Sequence, residues 1–119
     1  MSVTVPAGKQ WKVESIKFAL VTNATVADRF PALSIDAGSG ATEFWRFRSS
    51  VAQAATLAWT YYFLATIDNE INRSTVLEMY EPLPSGLLLG PGWRIITTTA
   101  AIQAGDNYGA PVLYVTEYG

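Results

Sequence analysis

Histidine and cysteine are both absent from the chain, and with them go two of the commonest ligand and nucleophile types. That removes most zinc hydrolases, thiol enzymes and histidine-dependent triads, as well as any disulfide framework. Charge is scarce as well: 15% of the residues are charged, against about a quarter in an ordinary domain. The net charge of −2 offers a polyphosphate backbone no attraction, so no nucleic-acid partner is expected. Met1 is followed by Ser-Val-Thr-Val-Pro, neither a basic start nor an apolar run of leader length. Synthesis in a cytoplasm-like compartment is the expectation. The longest uncharged run, Ser49 to Ile67, is diluted by Ser49, Ser50, Gln53, Thr56, Thr60 and Thr66. It reads as buried sheet rather than as a bilayer span, so no membrane partner is expected.

What the chain does have is apolar and aromatic surface. Half of its 119 residues are hydrophobic, including four Trp, six Tyr and five Phe. A chain of this size is expected to form one domain over residues 1–119, burying roughly two-thirds of the surface its unfolded form exposes. So many aromatics in a small core also suggest an exposed patch or a subunit interface.

Period-two alternation dominates the pattern. From Gln10 to Thr22 the phase changes: Trp11 and Val13 are apolar at odd positions, then Ile16, Phe18 and Leu20 at even ones. An extra residue near Glu14 and Ser15, as in a β-bulge, accounts for the shift. Further strands are predicted over Arg29–Asp36, Thr42–Arg48, Thr56–Thr66, Thr75–Glu81, Leu87–Leu89, Trp93–Thr99 and Tyr108–Tyr118. In the second of these, Glu43, Trp45 and Phe47 share one face, expected to be the buried one, and Phe44, Arg46 and Arg48 share the other. Ser50-Val-Ala-Gln53 fits a capping box and predicts one helical turn. Asp68 to Arg73 reads as a polar connection. The predicted fold is all-β: a two-sheet antiparallel sandwich of jelly-roll type, with about eight strands and little helix.

Catalytic patterns fail on inspection. Asp68, Glu70 and Asn72 alternate like the first ligands of a calcium loop, but Arg73 stands where its glycine belongs and Met79 where its bidentate glutamate belongs. Asp68 and Glu70 as a glycosidase pair is the weaker reading beside a solvated turn. Gly38-Ser-Gly40 and Gly90-Pro-Gly92 do not continue into phosphate-binding patterns and are turns. The glycosylation triplets at Asn23 and Asn72 are set aside for want of a secretory route. No metal or other cofactor is expected. The residues best suited to meet a partner are Arg46 and Arg48, whose planar guanidinium groups suit carboxylates on a neighbouring subunit, and Trp11, Trp93, Tyr108 and Tyr118 near turns or termini. Those aromatics bind sugar rings, anchor an interface or plug a sandwich end, and the plug comes first.

Two stretches carry a family resemblance: Val5-Pro-Ala-Gly-Lys-Gln-Trp-Lys-Val, and Pro84-Ser-Gly-Leu-Leu-Leu-Gly-Pro-Gly-Trp-Arg-Ile continued by Ala104-Gly-Asp-Asn-Tyr-Gly-Ala-Pro-Val-Leu-Tyr-Val-Thr-Glu-Tyr. They resemble small β-sandwich virion proteins of tailed bacteriophages, among them head decoration or capsid cement proteins. The resemblance implies a non-enzymatic role: a homo-oligomer, often a trimer, assembled in the host cytoplasm and docked on the lattice of the major capsid protein. The alternative is a receptor- or carbohydrate-binding module of a phage tail fibre or adhesin.

Overall fold

The computed structural model of the chain describes residues 1–40 and 42–119. In chain order its strands are β1 (Ser2–Thr4), β2 (Gln10–Val21), β3 (Ala32–Asp36), β4 (Glu43–Arg48), β5 (Ala58–Leu64), β6 (Ile71–Arg73), β7 (Glu78–Pro82), β8 (Leu88–Leu89), β9 (Arg94–Thr97), β10 (Asn107–Tyr108) and β11 (Val112–Tyr118). The helical content of the described residues is one 3-10 turn, Ser74–Val76. The protein is all-β with almost no helix, and its strands form two sheets, consistent with a β-sandwich. The smaller sheet runs β1-β9-β3-β4, and the larger runs β10-β2-β5-β7-β6, with β11 and β8 also paired to β2. No helix among the described residues is long and apolar enough to cross a membrane.

Strand β2 organises the larger sheet. On one edge Ser15–Val21 pairs with β5 and Trp11–Lys12 with β8; on the other, β11 runs antiparallel from Lys17 to Gln10. The expected irregularity is present. The register steps from Tyr114 opposite Ser15 to Val115 opposite Val13, so Glu14 is the extra residue. That bulge puts Val13 on the same buried row as Ile16, Phe18 and Leu20. These side chains meet Trp59, Tyr61, Phe63 and Met79 of their own sheet and Leu33, Ile35 and Ile95 of the other in one apolar cluster. Phe18 stacks between Tyr61 and Phe63 with ring centroids 5.5 and 5.8 Å away. Each such fully buried side chain contributes about 1.5–3 kcal/mol through burial.

Several expectations are corrected. Among the described residues eleven strands replace about eight, because Ser2–Thr4, not predicted as a strand, pairs with β9, because the stretch predicted as Tyr108–Tyr118 is interrupted at Gly109-Ala-Pro111, and because Ile71–Arg73, expected in a connection, forms an antiparallel hairpin with β7. The sandwich is not wholly antiparallel: β5 and β7 pair in parallel, since the chain crosses over and returns through β6. Leu77 has a left-handed φ of 61°, so β7 begins only after it and not at Thr75.

The capping box does not form, and no helical turn follows Ser50. Gln53 is instead drawn into the core, where its Nε2 donates to the carbonyls of Leu20 and Leu57 at 2.8 and 3.0 Å. Its Oε1 accepts from the Tyr61 hydroxyl at 2.9 Å. Gln53 also exchanges backbone hydrogen bonds with Arg29, and its side-chain amide is spent in the core rather than on Ser50. Tyr61→Phe, which leaves that buried amide oxygen unpaired, should cost about 1–3 kcal/mol in a urea titration with little change in slope.

Candidate functional site

The six residues expected to meet a partner are dispersed over the molecule, not gathered in one site. Tyr108 is an interior plug. Its ring meets Phe18 edge-on at 5.7 Å, and its hydroxyl donates to Thr99 Oγ1. Trp11 is half-buried and spends its indole N–H on Glu117 Oε2, 2.8 Å away on β11. Tyr118 is 48% exposed and, with Gln10, Lys12, Gly86 and Leu88, lines a shallow cleft at that end of the sheet.

Trp93 belongs to an aromatic corner that alternation alone does not reveal. On β4 the register steps from Trp45 opposite Ile35 to Glu43 opposite Asp36, so Phe44 is a bulge residue. Consecutive rings then come together instead of pointing to opposite faces. Phe44 lies 4.6 Å from Trp93 and 5.9 Å from Trp45, centroid to centroid, while Trp45 lies 6.4 Å from Trp93. Trp45, expected on the buried face, is 43% exposed, as is Phe44. The reason is position: β4 is the outer strand of its sheet, and Phe47 alone of its aromatic residues packs on the core.

Ion pairs flank this corner. Arg94 holds Asp36 bidentately at 2.9 and 2.6 Å, and that contact, with help from the Gly38 N–H, keeps the Asp36 carboxyl below its usual range despite burial. Glu43 is held down first by the Ser34 hydroxyl and then by Arg46, which reaches it at 3.0 Å. Arg46 is therefore paired within its own chain, and the pair is solvent-exposed. Arg48 stacks its guanidinium over the Phe30 ring at 4.3 Å and makes no ion pair among the described residues.

A second feature is polar. Where β4 of one sheet faces β7 of the other, a cleft of about 370 Å³ is lined by Phe47, Arg48, Ser50, Glu70, Glu81 and Pro82. Glu81 follows Met79 on the inward row of β7, is 3% exposed, and its Oε1 has no hydrogen-bond partner. Burial, reinforced by the neighbouring Glu70 carboxylate, pushes the Glu81 carboxyl up to about 9. Glu70 behaves oppositely. Burial opposes its charge, but hydrogen bonds with Glu81, with the Ser50 hydroxyl and with the Ser50 N–H (2.9 Å) hold it below its usual range. At neutral pH the two therefore share one proton. The Met79-Glu81-Leu83 alternation gave no sign of this buried acid, because a charged residue at the end of a short strand does not read as inward, and the partner Glu70 is brought in by the β6–β7 hairpin, which the sequence did not reveal. Asp68, the other carboxylate of the polar connection, lines a separate depression beside Pro82–Ser85.

A third polar group is structural. Arg29 and Asp106 have no exposed side-chain surface and meet bidentately, Nε to Oδ2 at 2.9 Å and Nη2 to Oδ1 at 3.0 Å. Asn23 Oδ1 and the Ala27 carbonyl accept the remaining guanidinium bonds, and the N–H groups of Asn23 and Gln103 donate to Asp106. Above all the guanidinium, then those N–H groups, outweigh burial and hold the Asp106 carboxyl down to about 2. Gly105 is confined by the same network: a Cβ there would stand 2.6 Å from Asn23 Nδ2.

Among the described residues no group of three or more Asp or Glu side chains is arranged to hold a metal ion. Three surfaces remain for recognition: the aromatic corner, the outer face of β11 and the Glu70–Glu81 cleft. Comparison with protein-family models, with curated proteins and with solved structures returns no match for the chain.

Proposed function

We propose that this chain is a structural virion protein of a tailed bacteriophage, a sandwich of jelly-roll type that decorates and stabilises the capsid surface as an oligomer and converts no substrate. The observation that carries the reading is β11. This seven-residue strand pairs with β2 alone, and Val112, Tyr114 and Tyr118 on it are 61%, 69% and 48% exposed. Soluble proteins protect a free edge with lysine, proline, a bulge or extreme shortness. β11 carries one charge, Glu117, and no lysine or proline within it, and the bulge in this ladder lies on β2 at Glu14 rather than on β11. Its outer edge thus offers main-chain groups beside a row of apolar side chains, which suits burial against another subunit or a capsid protein. Repetition on a lattice multiplies such contacts, so weak individual docking gives firm attachment.

Light scattering on the purified protein and its mixture with undecorated capsids test the proposal. The wild-type chain should form an oligomer and bind. Tyr114→Lys, which places a charge in the middle of the exposed row, should weaken capsid binding by at least about tenfold while leaving the fold intact. A monomer at micromolar concentration that ignores capsids would defeat it.

The second reading, a carbohydrate- or receptor-binding module of a tail fibre or adhesin, is favoured by the aromatic corner, whose exposed rings lie beside charged hydrogen-bonding groups. Trp93→Ala should then abolish signal on a glycan array. Trp11→Ala, outside the group of three stacked rings and committed to Glu117, should retain it.

A further inference from the structure

Strand β11 offers more than an exposed row, because the phase of its main-chain hydrogen bonds is fixed by its neighbours. On β2 the Ala19 carbonyl accepts from the Gly109 N–H at 2.8 Å on the side of β10 and β11, whereas the Glu14 carbonyl accepts from the Ala65 N–H at 3.0 Å on the β5 side. Main-chain groups alternate between the two sides of a strand, so Ser15 and Lys17 turn theirs toward β11. Their partners Tyr114 and Val112 are thereby spent on β2, as is Thr116 opposite Lys12. Leu113, Val115 and Glu117 then point their N–H and C=O groups outward, and among the described residues β11 pairs with β2 alone. The side chains sort separately: Leu113 and Val115 pack on the core, while Val112, Tyr114, Thr116 and Tyr118 stand on the outer face.

We propose that the occupant of this edge is β11 of a second copy, antiparallel about a two-fold axis at Val115, so that the larger sheets of two chains join into one. The inference rests on the reading of β11 as the docking edge and names its partner. A two-fold axis makes a patch meet itself, so the patch must be self-complementary. With the axis at Val115, that residue faces its own copy and Leu113 faces the partner's Glu117, which pairs the outward main-chain groups of both strands in about six hydrogen bonds. Between these rows Tyr114 falls opposite the partner's Thr116 and Val112 opposite the partner's Tyr118, so the strongly exposed apolar side chains gain cross-strand neighbours. The single charge of the strand does not oppose the pairing: the two Glu117 residues lie roughly 14 Å apart, beyond the screening length in physiological salt. Moving the axis toward Tyr114 draws Pro111, which has no N–H, into the ladder, and moving it toward Glu117 brings the two carboxylates together. A second copy presents this same spacing in reverse, a match that no partner of unrelated sequence is bound to supply.

Disulfide trapping in the full chain tests the register, since the chain has no cysteine of its own. Positions 114 and 116 form a pair without hydrogen bonds, with Cα atoms about 4.5 Å apart, within the span of a disulfide. Tyr114→Cys and Thr116→Cys chains, each verified as folded by circular dichroism, should cross-link to each other under mild oxidation at least about tenfold faster than either does with itself, because like positions lie on the diagonal about 7–8 Å apart. Val112→Cys mixed with Tyr118→Cys repeats the trial should Tyr114→Cys fail to fold. By light scattering the wild-type chain should weigh twice its 12.9 kDa at micromolar concentration. Val115→Pro takes an N–H from the outer edge and none from the β2 ladder, so it should weaken the dimer by at least about tenfold. If that variant fails to fold, the cross-links decide. Equal rates for all cross-links, or a monomer or trimer that lacks the bond between positions 114 and 116, overturns the inference. Where such a chain still binds capsids, the capsid proposal survives; a cross-linked dimer that ignores capsids upholds the inference while the capsid proposal fails.

Discussion

Asp106→Ala should lower stability by about 3–5 kcal/mol, a large part of the roughly 5–15 kcal/mol that holds a domain of this size together. The loss comes less from the removed attraction than from what remains: Arg29 keeps its charge in a place with no solvent contact and loses a bidentate partner. Arg29→Ala should be about as harmful, because it strands Asp106 instead. The double variant should fall well short of the sum, since neither side then leaves an unmatched charge. Arg29→Lys should not rescue, as an ammonium cannot reproduce a fork that serves Asp106, Asn23 and Ala27 together. Arg46→Ala, which removes an exposed pair, should cost under about 1 kcal/mol. Urea midpoints for the five proteins measure the contrast. A loss under 1 kcal/mol in Asp106→Ala would show that the buried pair holds nothing.

The second large effect is on pH dependence. Glu81 has its carboxyl raised from 4.5 to about 9 in the folded chain, so between those values the folded state keeps a proton that the unfolded state has released. Its contribution is complete below pH 4.5 and is lost as pH rises toward 9, by up to about 1.4 kcal/mol per pH unit. Asp106 works the other way. Its carboxyl is lowered from 3.8 to about 2, so its contribution is present above 3.8 and is lost as pH falls toward 2. Stability should therefore peak on the acid side of neutrality, near pH 4–5, and decline through the neutral range. Glu81→Gln should flatten the alkaline limb and leave the acid limb unchanged. Denaturation curves from pH 2 to 9 give both limbs, and a wild-type profile that rises between pH 5 and 9 would contradict the assignment.

What the sequence could disclose depended on whether the relevant interaction was local. The bulge at Glu14 was legible because a long strand with apolar residues on both sides of it makes a change of phase visible. The bulge at Phe44 was not, because β4 is short and carries aromatics on consecutive positions, so every phase looks acceptable. Ser50 and Gln53 satisfied a helix-start rule, but the rule is worth about 1 kcal/mol and Gln53 gains several buried hydrogen bonds by entering the core. Arg29 and Asp106 are far apart in the chain, and nothing near either one marks it as half of a pair. Glu81 shares the alternation of Met79 and Leu83, but as a charged residue at the end of a short strand it gave no sign of pointing inward. Its meaning came only with Glu70, across a hairpin formed by residues too polar to announce a strand.

The pairing of β1 with β9, and of β2 with β11, sets the order in which the molecule can form. Ser2 finds its register opposite Ile96, and Gln10 opposite Tyr118. A ribosome therefore delivers β1 and β2 long before β9 and β11 exist, and β2 must wait with one flank bare until β11 has been made. Such remote closure places this chain among slow folders, on the scale of milliseconds to seconds, and makes its own unfinished copies the first partners that a waiting strand can meet.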